Sequence, residues 1–437
     1  MAAGNFDAIT NALKVAYPAK AIEPMVNADT PFRRKLNKSV PAGGRVGEGI
    51  VKFGGNISPP QNLGNVGENV DLPSPKDRTD VQFQLTPITF TGSMGLGWIT
   101  RAAFNSGKAA FNGGELRRRT EEAISDLSKY IESSYVGTTG SGWRCKVEST
   151  ASNSTTFTAK QPEGVRLLRE NMKISGRINN GATVSAGAQP LEFFTITALN
   201  QDTRLVTHDG GATIDYTADD TVHPVAYTGQ VTTSSTDGYP YSNGLRGLVD
   251  DGTYLGTIHG LSRTTYPKLK SIVSSNGGSL RDLTEQILIR ACHESRNRTG
   301  KRVTDAWAGP GVVEKYIQFV APDRRYTVSG NSTQGKATGY EESQLSHVHS
   351  GGGFMINLSF DCIAREMFLL NWDTFFHYVA QEIDWVDDGG MLKLVPGTGG
   401  YKSGFLAYLA SIENIGCDMP LANTVIRDLR DPSIGDA

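Results

Sequence analysis

Residues 112–136 read NGGELRRRTEEAISDLSKYIESSYV, and the periodicity of this stretch decides how the rest of the chain is read. Leu116, Ala123, Ile124, Leu127, Ile131 and Tyr135 recur at three- and four-residue steps, which gathers apolar side chains on one face of a helix. Arg118 and Glu122 stand one turn apart on the opposite, wet face. Gly113 and Gly114 precede the pattern, and Gly137, Gly140 and Gly142 follow it, so the sequence predicts a discrete rod punctuated at both ends. At ~1.5 Å per residue, roughly 24 residues span about 36 Å, longer than a typical globular helix. Such a rod suits a spine better than the wall of a catalytic pocket.

The 437-residue chain is long enough for two or three structural units. Its 38% hydrophobic and 20% charged residues are those of a globular protein, but its 50 glycines exceed the usual ~7% share and favour strands, turns and extended arms. A formal charge of −2 leaves no whole-chain field that would pull the protein onto nucleic acid or an anionic membrane, although local basic patches remain open. Cys145, Cys292, Cys362 and Cys417 form no CxxC pair, which argues against a zinc site or a disulfide framework and for a reduced cytosolic life. The opening MAAGNFDAITNALKVAY lacks a signal-peptide run, and no stretch approaches the ~18 apolar residues of a membrane span. The expectation is a protein kept in the cytosol unless a larger assembly carries it out.

Upstream of the rod, residues 1–45 read as an extended arm, because Pro18, Pro24, Pro31 and Pro41 forbid a long helix. The arm carries a basic knot, Arg33, Arg34 and Lys35, either solvated or in contact with an acidic neighbour or nucleic acid. Residues 46–100 read as two strands, VGEGIVKFGG and the alternating Val81, Phe83, Leu85, Ile88, Phe90, joined by a long Pro-, Gly- and Asn-rich connection. A structureless loop of that length is uncommon in a compact domain, and a two-stranded ribbon is marginal alone, so the hairpin is expected to find partners on another chain.

Downstream, residues 143–235 become Thr- and Val-rich, with STTFTAK, LEFFTITALN and TRLVTHD as short strands, and a small inserted β-barrel or sandwich is expected. A second helix is predicted from Ser279, capped by Ser279 with Asp282, burying Leu280, Leu283, Ile287, Leu288 and Ala291 and ending near Arg298. VVEKYIQFV suggests a further short helix, TVSGNSTQGKATGYEESQLSHVHSGGG an exposed loop, and the final hundred residues a mixed α/β layer.

Catalytic patterns fail on inspection. None of the seven histidines sits in HExxH or a Cys/His array, and His347 with His349 is at best a pair on a strand or a polar loop. GNSTQGK at 330–336 follows a P-loop up to its lysine, but Ala337 stands where Ser or Thr would hold magnesium. GSMGLG at 92–97 opens no helix, and Glu341 with Glu342, Glu382 with Asp384, and Asp387 with Asp388 read as solvated pairs. The sequence predicts no enzyme, no cofactor and no metal.

The order of parts carries a resemblance. The arm ending RRKLNKSVPAGGRV, the hairpin strand TDVQFQLTPITFTGSM, the helix ELRRRTEEAISDLSKYIESSYVG, the segment GLSRTTYPKLKSIV and the tract CIAREMFLLNWDTFFHYVAQEIDWVDDG together resemble major capsid proteins of tailed bacteriophages. That resemblance implies the α+β fold of the Hong Kong 97 type. Residues 1–45 would be the N-terminal arm, 46–100 the extended loop, 101–142 the spine helix of the peripheral domain, 143–235 an insertion, and 236–437 the axial domain with the remainder of the peripheral domain. It implies self-assembly through pentamers and hexamers into the icosahedral shell around a double-stranded DNA genome, held non-specifically, in a virion assembled in bacterial cytoplasm without a membrane. Portal and decoration or cement proteins would be partners. Because no charged helical segment precedes the arm, a separate scaffolding protein is expected. Arg33, Arg34 and Lys35 of the arm and Lys76, Asp77 and Arg78 of the hairpin tip would make intersubunit contacts that set register more than affinity. Some members weld subunits by a Lys-to-Asn isopeptide bond assisted by a glutamate; Lys76 lies in the right hairpin, but no acceptor Asn or Glu is matched. A tail-tube or other polymerising virion protein is the alternative, and it would need neither spine helix nor arm.

Overall fold

A computed structural model of the chain describes residues 30–36, 38–39, 47–51, 81–97, 109–140, 142–149, 154–177, 193–210, 216, 218–224, 242–320, 346–349, 352–386, 393–397 and 400–436. The chain divides into two compact units. One comprises Met1–Gly47, Leu85–Tyr135 and Phe376–Ile415, and the other Glu48–Gln84, Val136–Phe375 and Gly416–Ala437.

The first unit is organised on the predicted rod, a helix over Ala109–Gly137. Ile124, Leu127, Ile131 and Tyr135 are buried, as the periodicity requires, and Ala123 is half-buried. Arg118 Nε faces Glu122 Oε1 at 3.8 Å on the exposed side. The helix starts earlier than expected, with Gly113 and Gly114 inside it. Each interior glycine costs about 1 kcal/mol relative to alanine, which the strong formers on either side, Ala109, Ala110 and Glu115–Arg119, absorb. The sheet of this unit follows the order Lys38–Ser39, Phe375–Trp385, Gly400–Cys417, Lys393–Gly397, with Ile88–Gly97 also paired to Gly400–Cys417. That last pairing is antiparallel from Ile88 opposite Glu413 to Gly97 opposite Gly404. Period-two alternation sends Ile88 and Phe90 inward and Thr89, Thr91 and Ser93 to solvent. Phe90 meets Tyr130 and Tyr135 edge-on, at centroid distances of 6.0 and 5.8 Å. The expected hairpin is present as a two-stranded sheet of Gly47–Val51 and Val81–Leu85, and its connection, residues 52–80, lies outside the described residues.

In the second unit the Thr- and Val-rich insertion forms a sheet in the order Cys145–Lys146, Thr221–Pro224, Lys173–Arg177, Phe193–Asn200, Leu205–His208, Thr156–Thr158. An antiparallel bridge between Val147 and Ala159 joins its two edges, so the sheet closes on itself as the expected barrel. Closure leaves the interior to side chains. Val147, Phe157, Ile174, Phe194, Ile196, Val206, Tyr216 and Val222 fill it. His208 joins this core: its ring lies 4.1 Å from that of Phe194, and its Nε2 shares a 2.8 Å hydrogen bond with Tyr216 Oη.

The rest of the second unit is a mixed sheet in the order Ile272–Ser274, Thr424–Ile426, Met367–Leu370, Asp305–Ala308, Gly352–Leu358, Ser346–His349. Helices Glu285–Thr299 and Pro310–Val320 pack on one face, where Leu288, Ala291, Val312, Val313 and Tyr316 meet Ala306, Ala308, Ile356, Met367 and Leu369. The second helix begins at Glu285, with Thr284 as its N-cap, and not at Ser279. The Arg281 N–H that a Ser279 cap would need donates instead to the Asp428 carbonyl at 2.8 Å, in a bridge of Arg281 to Leu429. Just upstream the Asp428 carboxylate accepts from Ser275 Oγ at 2.7 Å and the Asn276 N–H at 2.6 Å, beside Gly277 and Gly278 at positive φ. The helix ends where predicted, on a left-handed Gly300. The final hundred residues, expected as a mixed α/β layer, carry strands and single-turn 3-10 helices among the described residues.

Two glycines mark a close backbone approach. A Cβ on Gly244 would lie 1.9 Å from the Thr138 carbonyl oxygen, and one on Gly247 would lie 1.7 Å from that of Thr139. Neither backbone atom can yield without moving the chain. Gly247→Ala should destabilise the protein by about 2–3 kcal/mol, while Gly256→Ala, where nothing lies within 4 Å, should change it by less than about 1 kcal/mol; chemical denaturation of the unassembled chain checks the contrast.

Candidate functional site

The arm residues singled out in the sequence form a short helix, Pro31–Lys35, started by a proline whose missing N–H costs nothing at that position. Three successive residues have three fates. Arg34 is exposed, Lys35 is half-buried, and Arg33 is 2% exposed. Arg33 is therefore not a surface contact: its Nη2 pairs with Glu413 Oε2 at 2.7 Å, and its Nε reaches both carboxylate oxygens at 3.1 and 3.2 Å. The physical reason lies one residue before it. Phe32 is fully buried and its N–H donates to Glu132 Oε1 of the spine helix at 2.9 Å, so anchoring the arm carries the next side chain inside too.

Glu413 sits on the long strand Gly400–Cys417 with His377 Nε2 3.1 Å from its Oε2. Burial alone would raise its pKa, but the His377 ring and the Arg33 guanidinium overcome that and hold it at about 2. Tyr135 faces the same carboxylate, and burial followed by the Glu413 charge pushes its phenol well above the usual range. The arm is thus held within the first unit by a charge-assisted lock, by the Phe32 N–H to Glu132 bond and by the parallel pairing of Lys38–Ser39 with His377–Tyr378.

In the second unit a larger network ties the barrel to the mixed sheet. Arg246 Nη1 bonds Glu163 Oε1 at 2.5 Å, and Arg246 Nε lies 3.2 Å from Glu366 Oε2. Arg427 Nη2 bonds Asp250 Oδ1 at 2.8 Å, and Arg263 Nη1 lies 3.2 Å from Asp250 Oδ2. Tyr254 packs between two of the cations, with Arg246 at 4.2 Å and Arg427 at 4.4 Å from its ring centroid. Three guanidinia face three carboxylates. Glu163 lies on the turn between barrel strands, and Arg166 of the same turn donates to the Cys362 carbonyl at 2.5 Å and to Ser433 Oγ at 3.2 Å. The insertion is therefore anchored by buried charge.

Lys76, Asp77 and Arg78 lie outside the described residues, as do the P-loop-like tract 330–336, Glu341, Glu342, Asp387 and Asp388. Ser346–His349 is a strand, and the side chains of His347 and His349 are outside the described residues. Among the described residues no group of three or more His, Cys, Asp or Glu could hold a metal ion, and no helix is long and apolar enough to cross a membrane. The four cysteines are buried and unpaired with one another. Burial pushes the thiol pKa up to about 12 in Cys292 and Cys417 and higher still in Cys145, so these thiols are poor nucleophiles.

No family model and no curated protein matches the chain. Solved structures do. A chain of the cyanophage A-1(L) capsid asymmetric unit is similar over 92% of this chain and 93% of its own, at 13% identity and a TM-score of 0.52. A chain of the native GTA particle capsid is similar over 91% of this chain and 90% of its own, at 8% identity and 0.46. One from the satellite phage P4 procapsid with its size determination protein is similar over 94% and 99%, at 9% identity and 0.39. Long helix, hairpin, mixed sheet and the likeness to the cyanophage chain define the class: this is a phage-capsid fold. More particularly, it is the α+β fold of the Hong Kong 97 type, elaborated here by a closed six-stranded barrel.

The lock has a definite pH signature. Glu413 has a folded pKa near 2 against an ordinary 4.5, so its stabilisation is fully present above about pH 4.5 and lost as the pH falls toward 2. The difference amounts to about 3 kcal/mol. Glu413→Gln should lower the stability at pH 7 by roughly 3 kcal/mol and flatten the decline between pH 4.5 and 2, measured by circular dichroism in a denaturant series. In the second unit Glu163→Gln, which leaves Arg246 short of one countercharge, should destabilise by about 2–4 kcal/mol in the same assay.

Proposed function

We propose that this chain is a shell subunit, a major capsid protein whose copies tile the closed icosahedral head enclosing a double-stranded DNA genome. The single observation that carries the reading is the likeness to a cyanophage capsid chain along 92% of the length. Physics supports it. A two-stranded ribbon of Gly47–Val51 and Val81–Leu85 is marginal in water alone, and copies of the same chain are the natural source of the missing burial. In a shell each copy uses one face as donor and another as acceptor, by heterologous contacts closed by symmetry into pentamers and hexamers.

In this reading Arg34 and Lys35, on the outward side of the anchored arm, and Lys76, Asp77 and Arg78 of the hairpin tip contact neighbouring subunits, while Arg33 acts within its own subunit. The protein is structural and not an enzyme, requires no cofactor, and resides in the virion after assembly in bacterial cytoplasm. Portal, decoration and separate scaffolding proteins are its proposed partners.

Negative-stain images of particles purified from infected or expressing cells should show closed shells. Tubes, or a compact monomer resistant to protease at high concentration, would reject the proposal. Expression of the subunit alone should give irregular shells that become uniform when the scaffolding protein is supplied; uniform shells from the subunit alone would remove that partner.

A further inference from the structure

The helix Glu285–Thr299 is mounted from one side. Leu288, Ala291 and Cys292 enter the axial core, and Ser295 Oγ donates to the Ala422 carbonyl at 2.8 Å. The opposite face carries Gln286, Arg290, His293 and Asn297, at spacings of four, three and four residues, and all four are exposed. Arg296 and Arg298 flank this row, and the exposed Lys301 and Arg302 continue it past the Gly300 cap. Between residues 286 and 302 the sole carboxylate is Glu294, and it is paired with Arg298 one turn away. A chain of formal charge −2 thus gathers five basic side chains between residues 290 and 302, three on the helix and two just past its cap.

The chemistry of this face selects its partner. Protein–protein interfaces enrich Arg only alongside aromatic and Met side chains at an apolar centre; this row offers amide, imidazole, guanidinium and ammonium groups with no aromatic, Met or other large apolar side chain among them. Guanidinia bind phosphate oxygens bidentately, and a duplex presents about one phosphate per 1.7 Å of axis, so a backbone lying along ~12 Å of helix meets several at once. We propose that the exposed face from Gln286 to Arg302 is a sequence-independent contact for the phosphate backbone of nucleic acid. Only the identity of that nucleic acid as a packaged genome rests on the shell-subunit reading; the phosphate contact does not.

The test uses the full-length unassembled chain, a fluorescent duplex of arbitrary sequence and a sodium chloride series. Replacing Arg290, Arg296 and Lys301 together by Gln should weaken binding and reduce the slope of log K against log salt by about 2–3, since each phosphate contact contributes ~0.9. A charge-matched control, Lys129→Gln with Arg169→Gln and Lys173→Gln, removes exposed cations elsewhere and should leave the slope unchanged. Arg290→Lys with Arg296→Lys should retain most of the slope, which separates charge from fold. An unchanged slope in the triple Gln variant, or displacement of the duplex by polyglutamate at equal charge concentration, overturns the proposal, the second result assigning the face to an acidic protein. Imaging the wild-type chain in parallel separates the two readings: absent shells reject the subunit assignment, while shells with an unaltered salt slope reject this contact alone.

Discussion

A guanidinium withdrawn from water must bring its countercharge with it, and this chain withdraws several. Arg144, Arg246 and Arg263 are among its largest fully buried side chains, and Arg33 is almost as deeply enclosed. Desolvating such a group costs several kcal/mol, and only close, well-directed carboxylates offset that cost. The carboxylates that do so come from remote parts of the chain. Glu413 is 380 residues from Arg33, Glu366 is 120 from Arg246, and Asp250 is 177 from Arg427. Each pair can be satisfied only when the intervening chain has folded correctly. The networks therefore act on uniqueness of structure more than on its net free energy, while the apolar clusters supply the bulk of the driving force.

That division explains what sequence reading could and could not reach. The spine helix, hairpin strands, barrel and the Gly300 stop were legible because their signals are local: three- and four-residue periodicity, alternation over five to ten residues, a glycine at a helix end. The start of the Glu285 helix was misplaced because the carbonyl of Asp428, far along the chain, takes the Arg281 N–H that a Ser279 cap would have organised. Gly113 and Gly114 looked like punctuation, yet the rod runs through them, its neighbours outweighing the propensity cost. Arg33 in its basic triplet carried no mark that set it apart from Arg34 or Lys35. The one local hint was Phe32, a large apolar residue inside an otherwise polar arm, whose burial decides the direction of its neighbour.

The barrel illustrates the same logic at the scale of a whole insertion. Closure through Val147 and Ala159 removes its edges, so within the described residues it offers no open strand at that seam. Its interior is filled by aromatic and aliphatic side chains, with His208 accommodated as one more ring. Burial lowers the His208 pKa, which keeps the imidazole neutral among Phe157, Phe194 and Tyr216. Nothing in that core is arranged for chemistry. What the insertion contributes to the body it contributes through the turn carrying Glu163 and Arg166, where it delivers a carboxylate to Arg246 and a guanidinium to the Cys362 carbonyl.

In the proposed shell, a subunit that must fit identical copies of itself would gain from this arrangement. Apolar packing alone tolerates small slips, because dispersion and burial are non-directional and any well-filled core is nearly as good as another. A buried arginine fork admits no such latitude: displacing Glu366 or Asp250 by an ångström leaves a charge in low dielectric without its partner. The angular error that a closed shell can absorb at each contact is small, since a wrong rotation opens the ring into a helix or spiral. On that reading, charge placed inside the subunit, where it is little screened, would serve the geometry of the contacts made outside it. Arg33 fits this view: fastened at Glu413 by a fork of hydrogen bonds, it fixes the backbone at the point where the exposed Arg34 and the half-buried Lys35 follow.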